Sequence, residues 1–585
     1  MRSKAGPGFR TRLFLVAAAV SAIAGASCSP SATSSGPDAS EDWFVDRAVE
    51  SGLDFVHYNG RTAGFYYPEA VPPGVALFDY DNDGDLDVFV VQGRVLGDGP
   101  RRPRRPPPDL RGRLFRNDSA PAASGSGVTL RFTDVTAASG IEARAYGMGA
   151  ATGDFDRDGC IDLYVTNLGA NQLFRNNCDG TFADVTAASG TAAPDWTVSA
   201  SFVDIDRDGW LDLFVGQYMK YAVATNQQCR MLMGQLDYCG PQKYPPQPSA
   251  LFRNNRDGTF RDISTSSGID TETGKVLGVA SADYTADGWM DLYVANDGLA
   301  NHLWINQGNL TFRNTAVIAG AAVSPAGKAK ASMGVDAGDA DNDGDEDLVV
   351  GELTQEGAYF FVNDGTGVFT EASTPSGLQR ITLPFTTFGA AWLDADNDGY
   401  LDIAMINGGV AHTPEQLSRH QEFELGQRRL LIRNLGNGRF EDVTAQAGSG
   451  FAGAAEVGRG AAFGDMDNDG DTDIVVGNDD GPMRLLVNQR GNRNAWVGVR
   501  LTDGNVTVTG ARVAVRRSDG VTLWRRTRSD GSFASANDPR VLAGLGAAKG
   551  PVAVTVTWPD GTVEAWADIQ PGRYTTLARG SSRKP

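Results

Sequence analysis

Apolar runs in this chain are short and are repeatedly split by an acidic turn. Gly74-Val-Ala-Leu-Phe78, Ala200-Ser-Phe-Val203 and Gly389-Ala-Ala-Trp-Leu393 precede such turns. Leu86-Asp-Val-Phe-Val90, Ile161-Asp-Leu-Tyr-Val165 and Thr472-Asp-Ile-Val-Val476 follow them. Runs of four or five residues rich in Val, Phe and Ile, on either side of a glycine-containing turn, predict β-hairpins. A third run recurs after each hairpin: Leu114-Phe-Arg-Asn117, Leu173-Phe-Arg-Asn176, Leu251-Phe-Arg-Asn254, Leu303-Trp-Ile-Asn306, Phe360-Phe-Val-Asn363, Leu431-Ile-Arg-Asn434 and Leu485-Leu-Val-Asn488. A fourth strand is centred on Phe44, Phe132, Phe182, Phe260, Phe312, Phe369 and Phe440, followed in most copies by a link ending Ser-Gly. Four strands in a unit of about fifty residues match one blade of a β-propeller.

The count of strands predicts how the array closes. Phe44-Val-Asp46 precedes every hairpin, and the last unit stops after its third strand. Seven hairpins, seven third strands and seven fourth strands balance only if the N-terminal strand completes the seventh blade, which removes the open edges. The expected fold is all-β: a seven-bladed propeller over 43–490, with a smaller β domain over 491–585. In that second piece Asn494–Leu501, Gly510–Val515 and Val552–Gly561 alternate with period two.

The turns carry the chemistry. Each reads D-x-D-x-D-G-x-x-D over nine residues, except that the fourth has Thr285 at its third position. The oxygens and position-seven residues are Asp79, Asp81, Asp83, Asp85 and Asp87; Asp154, Asp156, Asp158, Cys160 and Asp162; Asp204, Asp206, Asp208, Trp210 and Asp212. They continue with Asp283, Thr285, Asp287, Trp289 and Asp291; Asp339, Asp341, Asp343, Asp345 and Asp347; Asp394, Asp396, Asp398, Tyr400 and Asp402; Asp465, Asp467, Asp469, Asp471 and Asp473. Several carboxylates in nine residues repel one another unless a hard cation sits among them. Calcium takes about 6–8 oxygen ligands. Positions one, three, five and nine offer side chains, position seven offers its carbonyl, and Gly at position six permits the sharp turn. Up to seven calcium ions are expected, with the Thr285 loop the weakest. An EF-hand is excluded, because that loop has twelve residues and helical flanks.

These units resemble FG-GAP/VCBS repeats, the calcium-binding blades of integrin-α-type propellers. The resemblance rests on the metal loop together with L-F-R-N and D-G-x-F-x-D-V-T. The C-terminal series N-A-W-V-G-V-R-L, T-G-A-R-V, S-A-N-D-P-R and T-W-P-D-G-T-V resembles the ASPIC/UnbV domain. The pairing is similar to the family that contains cartilage acidic protein. No catalytic residues are carried over from that resemblance.

Charge and leader narrow the setting. The formal net charge is −20, which looks largely like metal-site acidity and argues against nucleic acid as a partner. Arg2, Lys4, Arg10 and Arg12 precede an apolar stretch from Leu13 to Ala26. That length suits a signal peptide at 1–27 and is too short for an ordinary membrane span. Gly25-Ala26-Ser27-Cys28 resembles a lipoprotein box with Cys28 as the lipidated residue; a secretory signal cut nearby is the alternative. Residues 28–42 read as a flexible tether. Export and, at most, a lipid anchor to the membrane follow. Four further cysteines allow three pairings, and nearness in sequence favours Cys160–Cys178 and Cys229–Cys239. A zinc site is the rival reading, but no His accompanies them.

Three long connections, at 92–113, 217–250 and 407–429, all join the second and third strands of a unit. Strand alternation therefore places them on the face opposite the acidic turns, where they are expected to bind an extracellular protein or glycan. The first holds Arg101, Arg102, Arg104 and Arg105 among prolines. The second holds Tyr218, Tyr221, Tyr238 and Tyr244, suited to sugar contact or to packing the loop down. The third places His412 and His420 near Glu415, Glu422 and Glu424. The chain has no nucleophile elbow, P-loop, dinucleotide fingerprint or H-E-x-x-H. The leading expectation is a non-catalytic surface binding module. The alternatives are a lyase or hydrolase on acidic polysaccharide and an accessory subunit for an exported enzyme.

Overall fold

A computed structural model describes residues 42–97, 106–121, 127–230, 234, 236–411, 425–453 and 455–582. The leader, Cys28, the Arg101–Arg105 run and the His412/His420 segment lie outside the described residues.

Seven four-stranded antiparallel sheets follow one another. Sheet one is Val75–Phe78, Asp87–Val90, Arg113–Asn117 and Phe132–Asp134. Each acidic turn joins the first and second strands of a sheet, and in sheet one Phe78 pairs with Asp87 across it. Sheet seven takes its fourth strand from the start of the chain: Phe44–Asp46 pairs with Leu486–Asn488. The first strands adjoin in the order one to seven, and that of sheet seven, Gly458–Gly464, lies against Val75–Phe78 of sheet one. The circuit is closed. Both faces of each sheet pack on a neighbour, so strands such as Asp87–Val90 are buried throughout. This explains apolar runs without clean alternation.

The Asp-Val-Thr that follows three of the fourth strands, at 134–136, 184–186 and 442–444, leads into a single helical turn. Asp134 Oδ1 accepts from Thr136 N at 3.0 Å and from Thr136 Oγ1 at 2.6 Å. Gly140, at φ 77°, closes the turn in the left-handed region where glycine is unstrained.

Beyond Asn488 the chain builds two further sheets. One pairs Ala495–Asp503 with Val541–Gly546 and, in parallel, with Tyr574–Ala578. The other holds Arg512–Arg516 between Thr522–Arg526 and Val552–Thr557. They enclose their own apolar core, including Val497, Val513, Val554 and Trp558. This piece is nevertheless not a detached domain. Its Arg528–Arg540 segment, which includes the S-A-N-D-P-R run, threads into the centre of the ring. Ser535 Oγ accepts from Val75 N in sheet one, and Ala534 O from Ala150 N in sheet two. Asp530 Oδ2 accepts from Ser201 in sheet three and Ser281 in sheet four. Ser532 O accepts from Val335 N in sheet five, and Asn537 Oδ1 from Phe463 N in sheet seven. Phe533 is fully buried and packs edge-on against Phe388 of sheet six. One segment therefore touches the innermost strand of every sheet.

Candidate metal-binding loops

The seven turns share one backbone. Position four has positive φ in every copy, from 53° at Asn397 to 62° at Asn342, and the position-six glycine lies between 82° and 103°. Two left-handed residues in three curl the chain back on itself, so the amides of the turn point at the first carboxylate. That carboxylate accepts the glycine N–H in all seven loops, at 2.8–3.1 Å. Asp at position one is thus a folding residue as well as an oxygen donor.

Position nine has a further role that its place in the motif does not announce. Its Oδ2 accepts the position-two amide of its own loop, at 2.9–3.2 Å. Its Oδ1 accepts the amide of the Asn that ends the third strand, at 2.8–2.9 Å. That Asn is the second residue whose work sequence reasoning missed. Its amide group bridges two units: Asn176 Nδ2 donates to Tyr80 O of the preceding loop and to Ile161 O of its own. The same step recurs through Asn254, Asn306, Asn363, Asn434 and Asn488, and Asn117 closes it by donating to Met466 O of loop seven. The L-F-R-N signature was the available signal; its blade-to-blade reach was not.

With these oxygens used, others are left over. Oδ1 of Asp79, Asp81, Asp154, Asp156, Asp206, Asp396, Asp467, Asp469 and Asp471, and Oγ1 of Thr285, are buried without a hydrogen-bond partner. Each lies at position one, three, five or seven of a loop. Carboxylates of positions one, three and nine converge within 4.8 Å in loops one to three, and those of positions one, three and five in loop five. Burial, reinforced by the neighbouring aspartates, pushes Asp204 up to about 6 and Asp154 to about 7. At Asp79 burial comes first and the Arg500 guanidinium opposes it, leaving a value of about 6. Asp339, Asp394 and Asp465 rise to about 7 for the same reason, against nearby arginines. Buried hard oxygens that lack protons from the protein fit a divalent cation held by oxygen. The four-cysteine set offers no competing site: the structure joins Cys160 to Cys178 and Cys229 to Cys239. Cys160 therefore contributes no free thiolate beside Asp158.

The opposite end of the ring is built differently. Tyr218, Tyr238 and Tyr244 are 1%, 8% and 5% exposed. They form an aromatic plug with Tyr67 and Trp196 over the ring's centre. Of the two readings of these tyrosines, packing is the one the structure shows: their rings are used up against one another. Segment 55–73, which was not singled out in sequence, completes this end, with Tyr146 Oη donating to Asn59 O at 2.6 Å. Among the described histidines, His57 is 1% exposed, and burial, aided by Arg459, lowers it to about 3. His302 is buried beside Trp304.

The FG-GAP-like repeat family matches residues 154–215, 234–294, 283–350, 339–405 and 426–476. The ASPIC and UnbV family matches 501–584. This is an FG-GAP repeat protein with a C-terminal ASPIC and UnbV domain. Its relatives include cartilage acidic protein 1 of Xenopus tropicalis, 30% identical over 28% of this chain and 25% of that protein. Cartilage acidic protein 1 of Mus musculus is 26% identical over 54% of this chain and 46% of its own length. The chain thus spans less than half the length of the curated relatives it matches. Solved structures with a looser likeness include a lectin of Agrocybe aegerita that recognises non-reducing terminal N-acetylglucosamine. It has TM-score 0.39 and 16% identity, covering 70% of this chain and 87% of that one. The BP39L lectin from Burkholderia pseudomallei has TM-score 0.39 and 12% identity over 71% and 96%. Overlaps of that size say nothing about what this chain binds.

Proposed function

We propose that the chain is an exported, calcium-stabilised seven-bladed β-propeller that acts as a non-catalytic binding module for an extracellular protein or glycan. One observation carries the metal reading: buried oxygens without partners recur at equivalent positions of the acidic loops. The side chains at positions one, three, five and nine would hold the ion, with position nine also tied to the position-two amide of its loop and to the third strand. The ion would supply positive charge beyond the arginines that reach some loops, as Arg253 reaches Asp206 at 2.7 Å and Arg433 reaches Asp396 at 2.9 Å. The chain's own part is to fix the oxygens in place through the position-six amide and the third-strand amide. Elemental analysis and calorimetric calcium titration of the purified protein test this, and a metal-free protein that melts at the same temperature with and without calcium would sink it.

The binding reading is supported by the division of labour between the two ends. The loop face is covered by the ASPIC and UnbV domain, as where Asn505 Nδ2 donates to Asp158 O at 2.8 Å and Arg540 Nη2 to Asp465 O at 2.9 Å. The other end carries the long connections, and the described part of 217–250 exposes Gln227, Gln228, Arg230, Gln242 and Lys243 around its buried tyrosines. Contact with a partner therefore runs through a polar rim rather than through the aromatic rings. Glycan arrays and pulldowns from extracellular extracts, repeated after shortening 217–250 to a brief turn, test it. Undiminished capture by the shortened protein would move the binding surface elsewhere. Export itself rests on the leader, and cell fractionation of a Cys28→Ser variant distinguishes lipid anchoring from simple secretion.

A further inference from the structure

Where the ASPIC and UnbV domain meets loops five to seven, a cavity of about 150 Å³ is lined by five arginines. Two of them are accounted for. Arg528 is paired with Asp336, and Arg540 with Asp538 at 2.9 Å. The other three are not. Arg512 donates to Gly344 O and lies 4.1 Å over the Trp524 ring. Arg525 donates to Trp524 O at 2.8 Å and to Gly399 O at 3.3 Å, while its Nε is buried with no partner. The Arg526 side chain is 5% exposed and lies 3.1 Å from Glu346, yet none of its three nitrogens makes a hydrogen bond.

The charge around them depends on the loops. Asp339, Asp394 and Asp465 also line the cavity, but each is the first residue of an acidic loop. If those carboxylates hold cations, Glu346 is the one acid of the lining left beside Arg512, Arg525 and Arg526, with Asp345 facing Arg512 from outside it. The lining then sets three guanidiniums against one uncommitted carboxylate, with unused N–H donors on Arg525 and Arg526 in a buried place. Guanidinium forks match the paired oxygens of a tetrahedral oxyanion, and such charge-assisted bonds are the strong ones. An unpaired buried cation is costly, so the donors need a counter-charge as well as water.

We infer that this cavity is a binding site for a small tetrahedral oxyanion of the phosphate or sulfate class, held chiefly by Arg525 and Arg526 between the C-terminal domain and the ring. The inference rests on the calcium reading of loops five to seven. The anion would bind across the two pieces and make their contact sensitive to its concentration.

The test is calorimetric titration of the full-length, calcium-replete protein with sulfate, then with inorganic phosphate. Oxyanion released on denaturing freshly purified protein is measured by ion chromatography. One site per chain is expected. Arg526→Met should weaken binding at least tenfold, and Glu346→Gln, which removes the opposing carboxylate, should tighten it severalfold. The double variant Glu346→Gln/Arg526→Met removes both members of that ion pair together, so it keeps the fold while losing the site. Arg573→Met, on the exposed surface, should change nothing. Calcium content is read separately by elemental analysis, so a calcium-free protein would defeat the metal reading on its own evidence. A silent titration with no oxyanion released, whatever the calcium content, would overturn the site. So would Arg526→Met binding sulfate as the parent does.

Discussion

The two ends of the ring bury acidic side chains in opposite ways. At the connection end every prominent buried acid has a partner from the chain itself. Asp479 accepts from Asn59 at 2.8 Å and lies 3.2 Å from Arg61. Glu456 is clamped between Arg429 and Arg484. Glu69 takes Thr62 N at 3.2 Å and Tyr238 Oη at 3.1 Å, although burial still lifts it to about 8. At the loop end, aspartates face aspartates; arginines reach some of them, as Arg253 does Asp206 at 2.7 Å, but one oxygen each of Asp79, Asp81, Asp154 and Asp156 is buried with no donor. A protein can neutralise a buried charge internally or leave the task to something dissolved. The first solution is insensitive to medium; the second makes the fold conditional.

Removing divalent metal should therefore produce the largest effect and act on one end alone. Ligand bound only to the folded state contributes about 2.7 kcal/mol per site at a hundredfold excess over Kd. Chelator should lower the melting temperature steeply, with hydrogen exchange rising in the loops and staying low around Asp479 and Glu456. Uniform exchange at both ends would break the contrast.

The reciprocal experiment breaks the internally neutralised end. Arg429→Met leaves Glu456, 2% exposed, with Arg484 and the Asn478 amide. Losing one partner of a buried pair costs about 3–5 kcal/mol. Denaturant unfolding should show that loss equally in calcium and in chelator; a deficit that calcium repairs would contradict it.

A smaller effect tests the links between units. Asn306→Ala strands Ile205 O and Met290 O, now reached at 2.8 and 3.2 Å. The expected cost is about 1–3 kcal/mol. It should grow when metal is absent, because the loop it braces is then held by little else. Urea midpoints with and without chelator read this directly.

Proton dependence gives the mildest and most diagnostic signal. Asp79 and Asp204 stand near 6, and Asp154, Asp339, Asp394 and Asp465 near 7, all above the unfolded carboxylate value. A carboxylate raised in the folded state binds its proton more tightly there. The stability it adds is full below about 4 and is lost as pH climbs through its folded value. Metal-free protein should thus become less stable between about pH 4 and 7. Calcium-loaded protein should show the reverse slope, since protons then compete with the ion. Matching slopes in the two states would refute the assignment.

Much of this was readable from residues alone, for a physical reason. The nine-residue turn is local: its carboxylates, its glycine and its flanking strands all sit within twenty positions, so spacing reveals them. Closure by Phe44–Asp46 could be inferred because strand counts must balance. The work of Arg528–Arg540 could not, since its partners run from Val75 to Phe463 and no local pattern marks them. The tyrosines of 217–250 were ambiguous for a similar cause. An aromatic ring in a loop looks the same whether it greets solvent or, as Tyr218 does, packs on Trp196 at 4.9 Å between ring centres. Position nine and the third-strand Asn were visible as motif letters, but position nine bonds a strand some thirty residues away in loop one and the Asn side chain crosses from one unit to the next.

The strand at Phe44–Asp46 has a consequence for synthesis. Its pairing partner, Leu486–Asn488, emerges from the ribosome more than four hundred residues later, and the segment that fills the ring's centre later still. The first strand must wait unpaired, and the ring unclosed, while nearly the entire polypeptide is made, and a premature stop anywhere before Asn488 should yield aggregation rather than a shorter working protein.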